Sequence, residues 1–350
     1  MSSTKALILE TYGAELLDFI ERNLADDYNG ALIVDTSSAL NLQLVTRQTE
    51  TPCNAIVNFK RLNDMRFINK LIENVNENLP EQGIFIGCFE PKENRKTRIL
   101  RKYPPILRWI VYTLDFLVRR VAPKVWGIKK LYFALTRGQN RVLAQMEGYG
   151  RLYSCGFELL DTTEFGSLHF FACKKTGTPA YNLQATYGPL VRLRRVGKDG
   201  KLIKVYKLRT MFPYAEYLQA YINDKQGLQE GGKFKDDPRV TTLGRFFRKF
   251  WLDELPMIIN LLKGEMKLIG GRPLSPHYLS LYPKEVQERR KKYKPGLLPP
   301  YYADMPKSLD EIVDSEERYM NSYDEKPWRT DIRYFFKILS NILFKKARSK

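Results

Sequence analysis

The sequence predicts an α/β protein in two parts, and three observations carry that prediction. Strand-length apolar runs recur between segments of helical periodicity along the 350 residues. Charge is divided unevenly: residues 1–90 hold 7 Lys/Arg against 13 Asp/Glu, while the whole chain is +19, leaving +25 on residues 91–350. The character of the chain also changes at Gly188, where two alternating runs flank a Lys-Asp-Gly turn. The expected domains are residues 1–185 and residues 186–350.

In the first part, Leu7 to Leu24 has apolar residues near helical spacing, and GALIVDTS at 30–37 reads as a short buried strand. A helix is expected from Asn63, with Met65, Ile68, Leu71, Ile72 and Val75 on one stripe, ending before Pro80. GIFIGCF at 83–89 carries no charge, as in a sheet covered on both faces. NRVLAQMEGYGRLYSCGFELLDTTEFGSLHFFACKK at 140–175 reads as helix, strand, turn and strand.

Between them, residues 103–136 are apolar and aromatic with basic interruptions. Ile106 to Val118 contains only Arg108 and Asp115 as charges, and Arg119 and Arg120 follow. Pro123 lacks an N–H and breaks the helix. A second limb runs from Val125 to Leu135. Trp109, Tyr112, Trp126 and Tyr132, with basic side chains able to snorkel, point to a re-entrant or interfacial segment at a membrane, the alternative being a pair of amphipathic helices packed on a soluble core. It falls short of the roughly 20 apolar residues of a spanning helix.

The helix-strand succession over residues 54–175 resembles the later half of a Rossmann-like methyltransferase domain. The glycine-rich turn that cradles such a cofactor is missing, because no GxGxxG occurs in residues 1–60. The expectation is a Rossmann-like fragment, interrupted by the membrane-associated segment, that serves as a scaffold or regulatory module. The four cysteines, Cys53, Cys88, Cys155 and Cys173, form no CxxC pair, and only His169 and His277 could join them. That argues against structural zinc and suits a reducing compartment. The first residues lack the basic and apolar regions of a secretory signal.

In the second part, GPLVRLRRVGKDGKLIKVYKLRTM at 188–211 predicts a hairpin about Gly197-Lys198-Asp199-Gly200. Residues 212–234 read as a helix and a Gly-rich loop, EGGK at 230–233. The terminal DIRYFFKILSNILFKKARSK reads as an amphipathic helix with a basic tail.

The chemistry concentrates around Asp253-Glu254, which precede an apolar helix through Leu262. Spacing alone also allows Asp253 to be an N-cap. A carboxylate pair at a helix start could instead supply one nucleophile toward phosphorus and one ligand for a magnesium ion. Lys207, Arg209, Arg239, Arg245, Arg248 and Arg272 fall in the two dense stretches around the pair. Phosphoryl transfer requires such cations, and the arginine fork suits phosphate oxygens. The overall charge alone could suggest nucleic acid, but no nucleic-acid-binding module is recognisable and none is expected as a partner.

The ordered motifs of residues 188–339 resemble the bacterial sugar transferases, the monotopic polyprenyl-phosphate phosphoglycosyltransferases. They are the RxGKDGK and KLRTM hairpin, DPRVTTLGRFFRK at 237–249, LDELPMIINLLKGEMKLIGGRP at 252–273, KPGLLP at 294–299, and Tyr319, Trp328 and DIRYFFKIL at 331–339. The resemblance implies transfer of a sugar-1-phosphate from a UDP-sugar to a membrane polyprenyl phosphate, with release of UMP, to begin lipid-linked surface glycan assembly. It implies Asp253 as nucleophile, Glu254 as Mg²⁺ ligand, and Lys207, Arg209, Arg245 and Arg272 as phosphate-holding positions. It also implies a site of action on the cytoplasmic face of a bacterial inner membrane, with a homo-oligomer and later glycosyltransferases of the pathway as partners. The chain departs from the family pattern at Gly271-Arg272-Pro273, Gly264-Glu265-Met266 and Lys294 to Pro299. Its membrane-like segment also lies about 50 residues earlier than the family's re-entrant helix. The departures leave an alternative, a catalytically weak regulatory or interaction subunit.

Overall fold

The computed structural model describes residues 3–24, 30–48, 53–125, 127–181, 187–226 and 237–344. The EGGK loop at 230–233, Trp126 and the basic tail from 345 lie outside them. The chain forms two compact units, residues 1–187 with 212–225, and residues 188–211 with 226–350. Residues 212–225 therefore belong with the first unit, although they follow the hairpin in sequence.

The first unit opens with α1 (Ser3–Tyr12) and α2 (Ala14–Leu24). The expected stretch from Leu7 to Leu24 is thus two helices, broken at Gly13 with φ 83°, a conformation glycine adopts without a Cβ penalty. Next come β1 (Ala31–Val34), α3 (Ala39–Gln48), β2 (Ala55–Asn58), α4 (Ile68–Asn78) and β3 (Ile84–Phe89). The helix expected from Asn63 begins at Ile68, because residues 62–64 form a separate 3-10 turn. Asn63 is fully buried there and bonds the Glu90 backbone in both directions, which ties the loop after β2 to the end of β3.

α5 (Lys92–Lys102), α6 (Pro105–Phe116), α7 (Ile128–Thr136), α8 (Gln145–Ser154), β4 (Phe157–Phe165) and β5 (Leu168–Lys175) follow. The five strands make one sheet in the order β1-β2-β3-β5-β4. β1, β2 and β3 are parallel, and β5 is antiparallel to both of its neighbours, giving a Rossmann-like mixed sheet. Strand alternation decides its two faces. Ala55, Val57, Ile86, Cys88, Phe170 and Ala172 pack under Leu16, Phe19 and Ile20 of α2. Phe85, Phe157 and Phe171 meet on the opposite face, with ring centroids 5.4 Å and 5.7 Å from Phe85. Burial on both faces explains why β3 carries no charge.

α6 and α7 are the two limbs expected on either side of Pro123. A wide turn at Leu117–Val121 and a 3-10 turn at Ala122–Lys124 separate them. No residue of α6 is buried, and Ile106, Trp109, Ile110, Leu114, Leu131 and Leu135 are exposed. Among the described residues no helix is long and apolar enough to cross a membrane. The first unit also includes a 3-10 turn at Ala215–Leu218, which leads into α9 (Gln219–Gln226).

The second unit contains the predicted hairpin, β6 (Leu190–Val196) and β7 (Leu202–Leu208), paired antiparallel. Asp199 (φ 57°) and Gly200 (φ 72°) turn the chain between them. α10 (Thr242–Lys249) and a 3-10 turn at Leu252–Met257 precede α11 (Ile258–Leu262) and β8 (Lys267–Ile269). α12 (Pro276–Leu279), α13 (Lys284–Lys291), β9 (Gly296–Leu298), α14 (Tyr301–Asp304), α15 (Leu309–Glu325) and α16 (Pro327–Phe344) complete the unit. β8 pairs parallel with β9, and the backbones approach so closely that a Cβ on Gly296 would lie 2.1 Å from the Gly270 nitrogen. Tyr282, Tyr302, Val313, Tyr319, Met320 and Ile338 form much of the core beneath them.

Candidate functional site

The site is built where β7 lies against the turn holding Asp253 and Glu254. Val205 of β7, Met257 and Met266 are buried together, which fixes that approach. Asn260, also fully buried, completes it. Its amide donates to the Lys204 carbonyl at 2.8 Å and to Glu265 at 2.6 Å, and its Oδ1 accepts from the Tyr206 backbone N–H at 3.1 Å. The polar face of α11 is therefore clamped to β7, and Lys207 is carried to Glu254. The Lys207 Nζ lies 2.7 Å from Glu254 Oε1.

Asp253 is not an N-cap. Trp251 occupies the cap position with φ 60°, and no side chain caps the turn. A left-handed tryptophan is strained. Its indole is held by Tyr302, with ring centroids 4.4 Å apart. The tight turn leaves both carboxylates buried, Asp253 at 9% exposure and Glu254 at 7%. Asp253 Oδ1 is buried with no hydrogen-bond partner among the described residues. Burial, and then the charge of Glu254, push the Asp253 carboxyl above its ordinary range, while Lys207 and Arg248 pull the other way.

A cavity of about 50 Å³ is lined by Glu254, though not by Asp253, and is reached by four of the motifs singled out in the sequence. The hairpin supplies Arg195 and Lys207, the DELP segment Glu254, the GRP segment Arg272, and the KPGLLP loop Leu297 and Pro299. Arg272 sits over Tyr301 at 6.0 Å, and its backbone carbonyl accepts a hydrogen bond from Arg290 at 2.6 Å. Burial, followed by the charge of Arg272, lowers the Arg195 pKa. Two crowded guanidiniums and an ammonium around Glu254 suit a ligand with several phosphate oxygens.

The remaining predicted residues stand elsewhere around this centre. Arg248, on α10, donates to Thr210 Oγ1 at 3.1 Å and interacts electrostatically with Asp253. Arg239 is buried in a bidentate pair with Asp237. Arg209 donates to the Gly188 carbonyl at 2.9 Å and braces the base of the hairpin. Arg245 is exposed on α10. None of these four lines the cavity. Sequence reading passed over Arg195 and Asn260. The first lies inside the recognised RxGKDGK hairpin, so its motif was the available signal. The second is a lone polar residue in an apolar helix.

Among the described residues no group of three or more His, Cys, Asp or Glu side chains gathers to hold a metal. The donor set nevertheless fits Mg²⁺, which commonly takes one or two carboxylates and completes its shell with water and substrate phosphates. The partnerless Asp253 Oδ1 is the observation that supports this fit.

Basic side chains around buried Glu254 make a cationic pocket in the second unit. Residues 178–345 match the family model of the bacterial sugar transferases. In this C-terminal part the chain is similar to a family of transferases. An undecaprenyl-phosphate galactose phosphotransferase of Salmonella typhimurium is 35% identical over 158 residues, 43% of this chain and 32% of the relative. A galactosyl transferase of Streptococcus agalactiae is 36% identical over 37% of this chain and 29% of the relative. A UDP-glucose:undecaprenyl-phosphate glucose-1-phosphate transferase of Escherichia coli is 40% identical over 31% of this chain and 22% of the relative. The chain thus spans about a third or less of the length of these relatives. Among solved structures, an S-adenosylmethionine-dependent methyltransferase of Listeria monocytogenes matches 46% of this chain and 96% of its own, at 11% identity. Its TM-score of 0.26 carries no argument about ligand.

Proposed function

We propose that the second unit transfers a sugar-1-phosphate from a UDP-sugar to a polyprenyl phosphate, through a phospho-sugar carried on Asp253. The observation that carries this reading is the buried, partnerless Asp253 Oδ1, which feels the charges of Glu254, Lys207 and Arg248, next in sequence to the Glu254 that lines a cavity with Lys207, Arg195 and Arg272. An Asp253 oxygen attacks the phosphorus that bears the sugar. A new P–O bond to the carboxylate forms, the anhydride P–O bond breaks, and UMP leaves with the electron pair. A polyprenyl phosphate oxygen then attacks the same phosphorus and frees Asp253. Both nucleophiles are already anions, so neither step needs a strong general base.

Lys207, Arg195 and Arg272 stabilise charge on the transferring oxygens. Glu254, together with Asp253, would hold Mg²⁺, which supplies charge neutralisation at the diphosphate. The acceptor places the reaction at a membrane, on the cytoplasmic face of a bacterial inner membrane, at the start of surface glycan assembly. Exposed apolar residues on α6, α10 and α16 support that placement, among them Trp109, Phe246, Trp328 and Phe336. Later glycosyltransferases would take up the product.

The test is to incubate membranes containing the protein with radiolabelled UDP-sugars and to follow label into the lipid fraction. At least one sugar is expected to enter the lipid, and Asp253→Asn is expected to block it. Undiminished transfer by that variant would refute the assignment.

A further inference from the structure

The first unit contains a cavity of about 730 Å³ that the transfer chemistry does not use. Its walls are unusually basic. Arg66 and Lys70 come from the start of α4. Arg119, Arg120, Lys124, Lys129 and Lys130 come from the segment between α6 and the middle of α7. Arg141 and Arg151 close the remaining side, and among the described residues Glu147 is the only acidic one in the lining.

That carboxylate is already matched. Arg120 pairs with Glu147, Arg151 Nη2 lies 3.1 Å from it and Lys124 Nζ 3.6 Å. The excess positive charge must therefore be balanced by solvent ions or by a ligand. Two features favour a built site over a merely basic surface. Arg151 is 5% exposed, and its Nε is a buried donor with no acceptor among the described residues; the Arg141 Nε is another. Crowding is evident at Arg141, whose pKa falls to about 10 through burial and then the charge of Arg151.

The position within the fold points the same way. α4 follows β2, so its first turn stands beyond the carboxyl end of a parallel strand, where ligands of open α/β sheets bind. Phe67 at its cap offers no side-chain acceptor, and the first backbone N–H groups of the helix lack intrahelical partners. Phe67, Phe133 and Ala134 add apolar wall beside the charges.

We propose that this cavity binds a phosphate-bearing ligand, separate from the transfer site, through Lys70, Lys129, Lys130, Arg141 and Arg151. The phosphate could be presented by a soluble diphosphate or by an anionic lipid headgroup. The second source is natural for a cavity whose wall, α7, exposes Ile128, Leu131 and Leu135.

The experiment uses the purified full-length chain. Inorganic pyrophosphate is titrated calorimetrically, and flotation is measured with phosphatidylcholine vesicles with and without phosphatidylglycerol. The double variant Lys129→Gln/Lys130→Gln alters exposed side chains only, and Lys70→Gln tests a different element. Arg101→Gln/Lys102→Gln removes the same charge from the exposed end of α5, and Lys207→Met disables phosphate contacts in the second unit. Affinity for pyrophosphate, or for the anionic vesicles, should fall about tenfold in the double variant and less in Lys70→Gln. It should hold in both controls. Dependence confined to pyrophosphate identifies the soluble source, and dependence confined to vesicles identifies the lipid. The proposal is overturned if neither probe distinguishes the cavity variants from the α5 control, or if Lys207→Met alone removes pyrophosphate binding.

Discussion

Asp253 is placed at a cost to the fold. Its carboxyl is raised above the ordinary aspartate range first by burial and then by Glu254, so the folded state holds a proton more tightly than the unfolded chain. Its ionised form therefore opposes folding above the raised pKa, and this penalty disappears below the unfolded value. Asp253→Asn should accordingly raise the melting temperature at neutral pH while abolishing turnover, the trade expected of a strained active site. The difference from the parent should shrink as pH falls from the raised pKa to the ordinary aspartate value and be gone below it, which thermal melts across pH would show. Activity should fall in the same acidic range as the nucleophile becomes protonated. Lys207 acts in the opposite sense. Lys207→Met leaves Glu254 buried without its 2.7 Å partner and should lower kcat/KM by about a hundredfold in steady-state assays.

Whole elements hold these residues in place, and here the sequence was only partly legible. α10 rests on Thr210 through Gly244, where a Cβ would meet the Thr210 carbonyl oxygen at 2.0 Å. Gly244→Ala should therefore cost about 1–3 kcal/mol in urea unfolding and displace Arg248 from Thr210. Asn260→Ala should cost about 1–2 kcal/mol by the same measurement, since it removes three hydrogen bonds from a buried side chain to partly buried groups of β7 and Glu265. The hairpin, the uncharged β3 and the break at Pro123 were readable because each rests on local periodicity or a residue that removes a hydrogen bond. The roles of Arg195 and Asn260 were not, because they depend on which β7 residues face α11 and on the approach of Arg272. The division of α1 from α2 turned on one glycine with positive φ. The motif residues fared unevenly for the same reason. Lys207, Glu254 and Arg272 meet at one cavity, whereas Arg209 and Arg239 are engaged by the backbone and by Asp237.

At the scale of the molecule, each unit carries basic cavity walls and exposed apolar residues. The charge asymmetry noticed in the sequence has two structural destinations, the proposed transfer site of the second unit and the basic cavity of the first. No described helix can cross a bilayer, so the proposed membrane contact falls to exposed faces such as that of α6. Replacing Trp109 and Leu114 with glutamate should sharply reduce co-sedimentation with vesicles without lowering the melting temperature, since both are about half exposed. Unchanged co-sedimentation would remove α6 from the membrane surface.

The central claim is that the phospho-sugar passes through Asp253. Its most direct measurement uses a UDP-sugar labelled on the phosphorus nearest the sugar, mixed with the protein in the absence of polyprenyl phosphate. The account predicts label bound covalently to the protein, mapped to the peptide containing Asp253, absent from Asp253→Asn and discharged when polyprenyl phosphate is added. Transfer of label to lipid with no labelled protein, or labelling that survives in Asp253→Asn, would contradict it.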